Sequence, residues 1–144
     1  MTKRVLFVCL GNICRSPTAE GLARSMLSDG DTIETDSAGT AAYHVGNPPD
    51  PRAIAEAASR GIDISDLRAR QVERADFDRF DLIVAMDRSN LTNLQRMAPK
   101  DSRASVRLML TDEEVPDPYY DDGFERAYDL LNGAMPDLLS ELRG

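Results

Sequence analysis

A cysteine and an arginine stand at the two ends of a short loop near the start of the chain. Cys9 follows an apolar run, and Arg15 comes six positions later, directly before a Ser-Pro pair. A cysteine thiolate is a strong nucleophile, and both a helix N-terminus and a nearby cation favour the thiolate. The arginine guanidinium donates two parallel hydrogen bonds, which match the oxygens of a tetrahedral oxyanion. This spacing therefore indicates a nucleophile beneath a bound phosphate.

The segment around this pair predicts a strand, a tight loop and a helix. Residues 5–10 form an unbroken, β-branched-rich apolar run, which is typical of a buried strand. Ser16 and Pro17 favour a helix start with Ser16 as the N-cap, and Gly11 and Asn12 are the residues that best tolerate positive φ. Backbone N–H groups turned inward in such a loop form an anion site. The predicted phosphate-binding residues are Leu10, Gly11, Asn12, Ile13, Cys14, Arg15 and Ser16.

Strands and helices alternate along the rest of the chain, which predicts an α/β fold with a parallel sheet covered on both faces. Ligands in such sheets bind at the carboxyl ends of the strands. We expect four residues to meet Cys9 there, and we expect Asp87 to support the loop by binding its N–H groups. These four residues are Ser37, Tyr43, Asp87 and Asp117. The predicted strands after the first are 33–38, 82–86 and 106–110, and the predicted helices are 16–28, 50–60, 89–97 and 124–142.

The composition bounds the class of protein. The 144 residues, 42% hydrophobic and 29% charged, fit a single globular domain over residues 1–144. A formal net charge of −8 argues against nucleic acid as a partner, because phosphate backbones attract basic faces. No apolar stretch approaches the length of a membrane span, so no membrane association is expected. The two cysteines share one loop and cannot staple a fold, which indicates a reducing compartment such as the cytoplasm.

Asp117 is the candidate general acid and base. It lies in a loop over residues 111–123, between two prolines that restrict the backbone and so help to present its carboxyl group at a fixed place. Tyr119 and Tyr120 follow directly, and together with Tyr43 they predict a deep slot suited to a phenyl ring. His44 is expected to be an exposed loop residue near this slot.

These residues predict phosphoryl transfer in two steps. Cys9 would attack phosphorus in line with the leaving group, and water would then hydrolyse the cysteinyl-phosphate to release inorganic phosphate. Backbone N–H groups and Arg15 would stabilise the equatorial oxygens through both steps. Two cysteines and one histidine are too few for a closed zinc site. We therefore expect neither a metal nor a cofactor.

The motifs resemble the low-molecular-weight protein tyrosine phosphatases over nearly the whole chain. The resemblance implies a three-layer, flavodoxin-like fold, with a four-stranded parallel sheet in the order 2-1-3-4, and metal-independent hydrolysis of phosphotyrosine in proteins. It makes Cys9 the nucleophile, Arg15 the phosphate clamp and Asp117 the acid. The matching motifs are VCLGNICRSP at 8–17, DSAGT at 36–40, ARQ at 69–71, MDRSN at 86–90 and DPYY at 117–120.

The resemblance also implies supporting roles. Asn12, Ser16 and Ser37 match residues that hold the loop's shape, and Ser16 also assists the thiolate as a leaving group. Cys14 matches a second cysteine that forms a reversible disulfide with the nucleophile and so makes the site redox-sensitive. One departure is Leu67, which stands where the family often has a histidine beneath the loop. The network would then depend on Asn12, Ser16 and Ser37 alone.

Three other functions stay open as alternatives. A protein-arginine phosphatase would have a similar loop but tends to carry threonine where Ile13 stands. A thioredoxin-linked arsenate reductase needs further cysteines, and a non-catalytic phosphoprotein-binding module would lack the thiol, the arginine or the acid. Ile13, Tyr119 and Tyr120 favour a flat aromatic substrate. We expect a monomer or a weak dimer, with inorganic phosphate or another oxyanion as product or inhibitor.

Overall fold

The computed structural model describes residues 2–144 and shows a four-stranded parallel sheet in the order β2-β1-β3-β4. The predicted fold class and strand order are confirmed. The strands are β1 (Lys3–Cys9), β2 (Ile33–Gly39), β3 (Leu82–Ala85) and β4 (Ser105–Leu108). The helices are α1 (Arg15–Ser25), α2 (Pro51–Ser59), α3 (Asp76–Arg79), α4 (Arg88–Met97) and α5 (Phe124–Arg143).

Strand β1 lies in the middle of the sheet, between β2 and β3. Its alternate side chains enter two separate cores, because successive residues of a strand point to opposite faces. Val5 and Phe7 pack with α1, α2 and α5 on one face, and Leu6 and Val8 pack with α3 and α4 on the other. Helices therefore cover both faces, which explains why the strand is an unbroken apolar run.

The carboxyl ends of the strands meet at one edge, as predicted. The register places Cys9 opposite Gly39 of β2 and Val8 opposite Ala85 of β3. The loops that follow β1, β2 and β3 therefore leave the sheet side by side. This edge carries the candidate site.

The start of α1 differs from the prediction. The helix begins at Arg15, Cys14 is its N-cap residue, and no side chain caps it. The prediction of Ser16 as N-cap is therefore wrong. The Ser16 hydroxyl accepts a hydrogen bond from Asn12 and lies beside the Cys9 sulfur. Hydrogen bonds with tertiary partners therefore outweigh the local preference of a Ser-Pro pair for a helix cap.

Other boundaries shift by a few residues. Helix α1 ends at Ser25 rather than at 28, and β4 covers 105–108 rather than 106–110. The short helix α3 was not predicted, because four residues are too few to show a helical period. Over residues 2–144, no helix combines the length and the apolar composition needed to cross a lipid bilayer.

Candidate active site

The phosphate loop, residues 9–16, is pressed against the end of β2. The N–H groups of Thr40 and Ala41 donate to the carbonyl oxygens of Cys9 and Leu10, at 2.9 and 3.0 Å. A Cβ on Gly39 would lie 2.7 Å from the Leu10 carbonyl oxygen, so this close approach requires glycine. The end of β2 therefore fixes the first half of the loop.

Asn12 is the residue that takes the positive φ, at 57°. Gly11 does not need one. It is small for a different reason: a Cβ there would lie 3.0 Å from Cδ2 of the His44 ring. The prediction that this pair supplies left-handed backbone is thus confirmed for Asn12 and wrong for Gly11.

Asn12 is the centre of a buried hydrogen-bond network. Its amide nitrogen donates to Ser16 Oγ at 2.8 Å and to Ser37 Oγ at 3.0 Å. Its amide oxygen accepts from the backbone N–H of Arg70 at 3.0 Å. The network therefore brings together three of the four predicted loop supports, Asn12, Ser16 and Ser37. The side chain of Leu67 packs against the core that contains Val5 and Phe7, and it takes no part in the hydrogen-bond network.

Two members of this network were missed from the sequence. The Ser37 hydroxyl donates to Glu20 Oε1 at 2.7 Å, and Glu20 is buried. Burial raises the pKa of the Glu20 carboxyl group, against the hydrogen bond from Ser37. Glu20 lies four residues after Ser16, on the same helical face, which is the signal that could have found it.

Arg70 is the second missed residue. Its guanidinium contacts Asp36 at 3.0 Å and the fully buried Asp76 at 3.0 Å. These ion pairs hold the segment whose backbone N–H reaches Asn12. The sequence contains the ARQ motif, but it does not show that the ion pairs of Arg70 hold this segment in place.

Cys9 lies at the base of the loop, with its sulfur 3.0 Å from the Ser16 hydroxyl. A hydroxyl donor at this distance stabilises a thiolate. Cys14 is also a free, buried cysteine. Burial raises the pKa of its thiol far above the usual range, and the charges of Cys9, Asp50 and Asp117 add to the effect. Cys14 is therefore a neutral thiol.

Arg15 is buried, with only 2% of its surface exposed. Its Nη1 donates to Asp87 Oδ2 at 2.7 Å and to the Val115 carbonyl oxygen at 2.9 Å. Burial opposes the charge, but the Cys9 sulfur and Asp87 outweigh it and raise the pKa of the guanidinium. Within residues 2–144, its Nε has no hydrogen-bond partner. Arg15 is thus a permanent cation with a donor to spare for an oxyanion.

Asp87 has a different role from the one expected. It binds the guanidinium of Arg15, and its Oδ1 accepts the backbone N–H of Asn90 as the N-cap of α4 at 2.8 Å. The prediction that it binds N–H groups of the phosphate loop is wrong, because its two carboxylate oxygens bind the Arg15 guanidinium and the Asn90 N–H instead. It still supports the site, through Arg15.

The acid loop, residues 111–123, brings Asp117 to the same place. Asp117 Oδ2 lies 3.7 Å from Arg15 Nη2, and its Oδ1 accepts the backbone N–H of Tyr119 at 3.0 Å. Its side chain is 30% exposed. The carboxyl group therefore stands at the mouth of the site, and the thiol lies at the base.

The cleft between these groups has a volume of about 280 Å³. Its aromatic wall is shallower than predicted, because Tyr43 and Tyr120 are 75% and 82% exposed and form a rim. Tyr119 is less exposed and meets the Tyr120 ring edge-on at 5.1 Å between centroids. The structure thus places every residue of the predicted slot around one opening. The prediction that His44 is exposed is wrong, because its ring packs close to Gly11 and is half-buried.

A buried thiol, a buried guanidinium and a partly exposed carboxyl group thus line one cleft. The model of the family "Low molecular weight phosphotyrosine protein phosphatase" matches residues 4–144. The chain belongs to this family and is a hydrolase.

Individual relatives support the same family assignment. A low molecular weight phosphotyrosine protein phosphatase of Schizosaccharomyces pombe is 47% identical, over 89% of this chain and 90% of its own length. A low molecular weight protein-tyrosine-phosphatase of Streptomyces coelicolor is 43% identical, over 99% of this chain and 95% of its own. The crystal structure of YfkJ from Bacillus subtilis superposes with a TM-score of 0.92 at 38% identity, covering 99% of this chain and 96% of YfkJ.

Proposed function

We propose that this chain hydrolyses phosphotyrosine in proteins, and small aryl phosphates, through a cysteinyl-phosphate on Cys9. The observation that carries the proposal is the position of Arg15, which is buried in the same loop as Cys9 and lies 3.7 Å from Asp117. One cation thus links the nucleophile's loop to the candidate acid. Residues 1–144 would act as a single phosphatase domain.

In the first step the Cys9 thiolate attacks phosphorus, and the bond from phosphorus to the phenolic oxygen breaks. Arg15 and the N–H groups of the phosphate loop hold the three equatorial oxygens, whose charge they stabilise without reorganisation. Asp117 donates its proton to the leaving oxygen. The unpartnered Nε of Arg15 supplies one of the donors this step needs.

In the second step water attacks the cysteinyl-phosphate, with Asp117 as the base that accepts the water proton. The Cys9 sulfur is now the leaving group. The Ser16 hydroxyl at 3.0 Å stabilises the departing thiolate. The products are inorganic phosphate and the regenerated enzyme, and neither step requires a metal or a cofactor.

An aromatic substrate is favoured by the rim of the cleft. Tyr43 and Tyr119 can pack against a phenyl ring whose phosphate occupies the loop. The names of the relatives from Schizosaccharomyces pombe and Streptomyces coelicolor point to the same substrate. The net charge of −8 argues against a nucleic-acid partner.

Oxidation would be reversible through Cys14. A sulfenic acid on Cys9 condenses with the Cys14 thiol, which forms the disulfide and releases water. A reducing compartment such as the cytoplasm would then restore both thiols. After a peroxide pulse, dithiothreitol should recover wild-type activity but not the activity of Cys14→Ser. Equal recovery in both would exclude Cys14 from this role.

The experiment that tests the proposal is hydrolysis of aryl phosphates in excess chelator. Wild type should turn over, and Cys9→Ser should lose at least about 10³-fold in kcat, because the covalent step is gone. Phosphotyrosine and phosphoarginine peptides of the same sequence test the substrate. Preference for phosphoarginine, or full activity of Cys9→Ser, would overturn the proposal. Size-exclusion chromatography would test the expected monomer or weak dimer.

A further inference from the structure

Arg52, in the first turn of α2, stands outside the cleft yet touches the acid loop at several points. We propose that Arg52 is a positioning residue that ties the acid loop to the phosphate loop and so sets the distance from Asp117 to the leaving group. This inference rests on the proposed function, since it assumes that Asp117 is the acid. The side chain of Arg52 is 42% exposed.

The guanidinium of Arg52 reaches the acid loop through both hydrogen bonds and ring contacts. Nη1 donates to Asp122 Oδ1, and Nη2 donates to the Tyr119 carbonyl oxygen at 3.2 Å. The guanidinium carbon also lies 5.4 Å from the centroid of the Tyr119 ring and 4.7 Å from that of Phe124. A planar, forked cation suits this combination of donors and stacking. The contacts with the acid loop fall two and five residues after Asp117, and the contact with Phe124 falls at the start of α5.

The other side of Arg52 is joined to the phosphate loop through Asp50. Both oxygens of the Asp50 carboxylate accept from Arg52, at 3.1 Å each. The backbone N–H of Asp50 donates to the Ile13 carbonyl oxygen at 2.8 Å. A continuous path therefore runs from Ile13 through Asp50 and Arg52 to the acid loop.

Besides Arg52, the middle of the acid loop is held by the ion pair between Asp117 and Arg15 and by the buried Pro118. Its first half is held by Val115, whose N–H donates to the Met86 carbonyl oxygen at 2.8 Å, and its end runs into α5. Within the described part of the chain, residues 116–122 make hydrogen bonds only with each other, with the adjoining start of α5 and with Arg52. Apart from the ion pair of Asp117 with Arg15, Arg52 is thus the polar contact nearest in sequence to Asp117.

Arg60, the C-cap residue of the same helix, provides a matched control. It contacts Glu56 at 3.1 Å and Asp129 at 2.9 Å, and its guanidinium carbon lies 4.5 Å from the centroid of the Tyr128 ring. It therefore repeats the chemistry of Arg52 against α5, but it touches no residue of the acid loop. Exposed ion pairs of this kind contribute little to global stability, so neither variant should unfold the protein.

The experiment compares kcat/KM for two aryl phosphates, because this constant reports on the step that expels the leaving group. Phenyl phosphate has a poor leaving group that needs a proton, and 2,4-dinitrophenyl phosphate has a good one that does not. We expect Arg52→Ala to lower kcat/KM about tenfold for phenyl phosphate and less than about twofold for the dinitrophenyl ester. Arg52→Lys should recover part of the loss, and Arg60→Ala should match wild type on both.

Asp117→Asn is measured beside these variants to separate the role of Asp117 as the acid from the role of Arg52 as a positioning residue. A leaving-group-dependent loss in Asp117→Asn with none in Arg52→Ala would overturn the tether and leave the acid intact. No leaving-group dependence in Asp117→Asn would overturn the assignment of the acid, and the tether with it. An equal fall for both esters in Arg52→Ala, or the same fall in Arg60→Ala, would reduce Arg52 to a structural role.

Discussion

The phosphate loop and the acid loop are held in opposite ways. Asn12 and Ser16 of the phosphate loop are almost fully buried, and their hydrogen bonds reach β1, β2 and the segment that carries Arg70. Most residues of the acid loop are exposed, and its middle is tied to other elements by the exposed side chain of Arg52 and by the ion pair of Asp117 with Arg15. Both loops serve one cleft.

The difference fits the role that we propose for each loop. Stabilising an oxyanion needs several donors fixed in advance, because reorganising them during the reaction would raise the barrier. Protonating a leaving oxygen needs one carboxyl group within hydrogen-bond reach. We therefore expect oxyanion binding and proton transfer to be separable, and the following changes test that separation.

The largest effect is expected for Asp117→Asn. It should lower kcat/KM for phenyl phosphate by about 10²- to 10³-fold, because the amide cannot supply the proton. Inhibition by inorganic phosphate should change by less than about threefold, because the phosphate loop binds the oxyanion by itself. Steady-state kinetics with phosphate as competitor measures both. A parallel loss of phosphate affinity would show that the loops act as one unit.

Removing the amide of Asn12 should give a smaller loss of activity but a loss of stability as well. Asn12→Gly keeps the backbone at its φ of 57° without strain, so only the three side-chain hydrogen bonds are lost. We expect the free energy of unfolding in urea to fall by about 1–3 kcal/mol, because buried partners are left unsatisfied. Phosphate affinity should fall too. Unchanged phosphate affinity would mean that the backbone alone shapes the loop.

The smallest effect concerns the pH dependence of stability. Burial raises the pKa of Glu20 in the folded state, so the folded protein holds this proton more tightly than the unfolded chain. The group's contribution to stability is full below the unfolded value of about 4.3 and is lost as the pH rises through the folded value. Glu20→Gln keeps the oxygen that accepts from Ser37 and removes this loss.

Thermal unfolding midpoints at about pH 4.5 and about pH 8 measure the difference. The variant should gain on wild type as the pH rises. Glu113→Gln, at an exposed glutamate, serves as the control and should show no such trend. A constant difference between Glu20→Gln and wild type at both pH values would contradict the assignment.

The sheet and the position of the site could be predicted because their signals are local. Short apolar runs such as 82–86 predict buried strands, and the spacing of Cys9 and Arg15 predicts an anion loop without reference to any other segment. Parallel topology then places the loops at one edge. Nothing in these steps requires knowledge of side-chain contacts.

The supporting residues could not be predicted because their partners are distant in sequence. Arg52 reaches Tyr119 and Asp122 across 67 and 70 positions, and on the helix it has the pattern of an ordinary solvated charge. The prediction for Ser16 is wrong for a related reason. Its local sequence predicts a helix cap, but its hydroxyl accepts a hydrogen bond from Asn12 instead. Local propensity is a weak guide wherever a tertiary partner competes for the same atom.

The central position of β1 has a consequence for how the protein is made. The strand that carries Cys9 leaves the ribosome before the other three strands, yet its second neighbour, β3, follows only after about 70 further residues, and Asp117 later still. A nascent chain therefore displays its thiol long before it possesses a complete site. The site is complete only after Asp117 has been made, and until then Cys9 is open to oxidants.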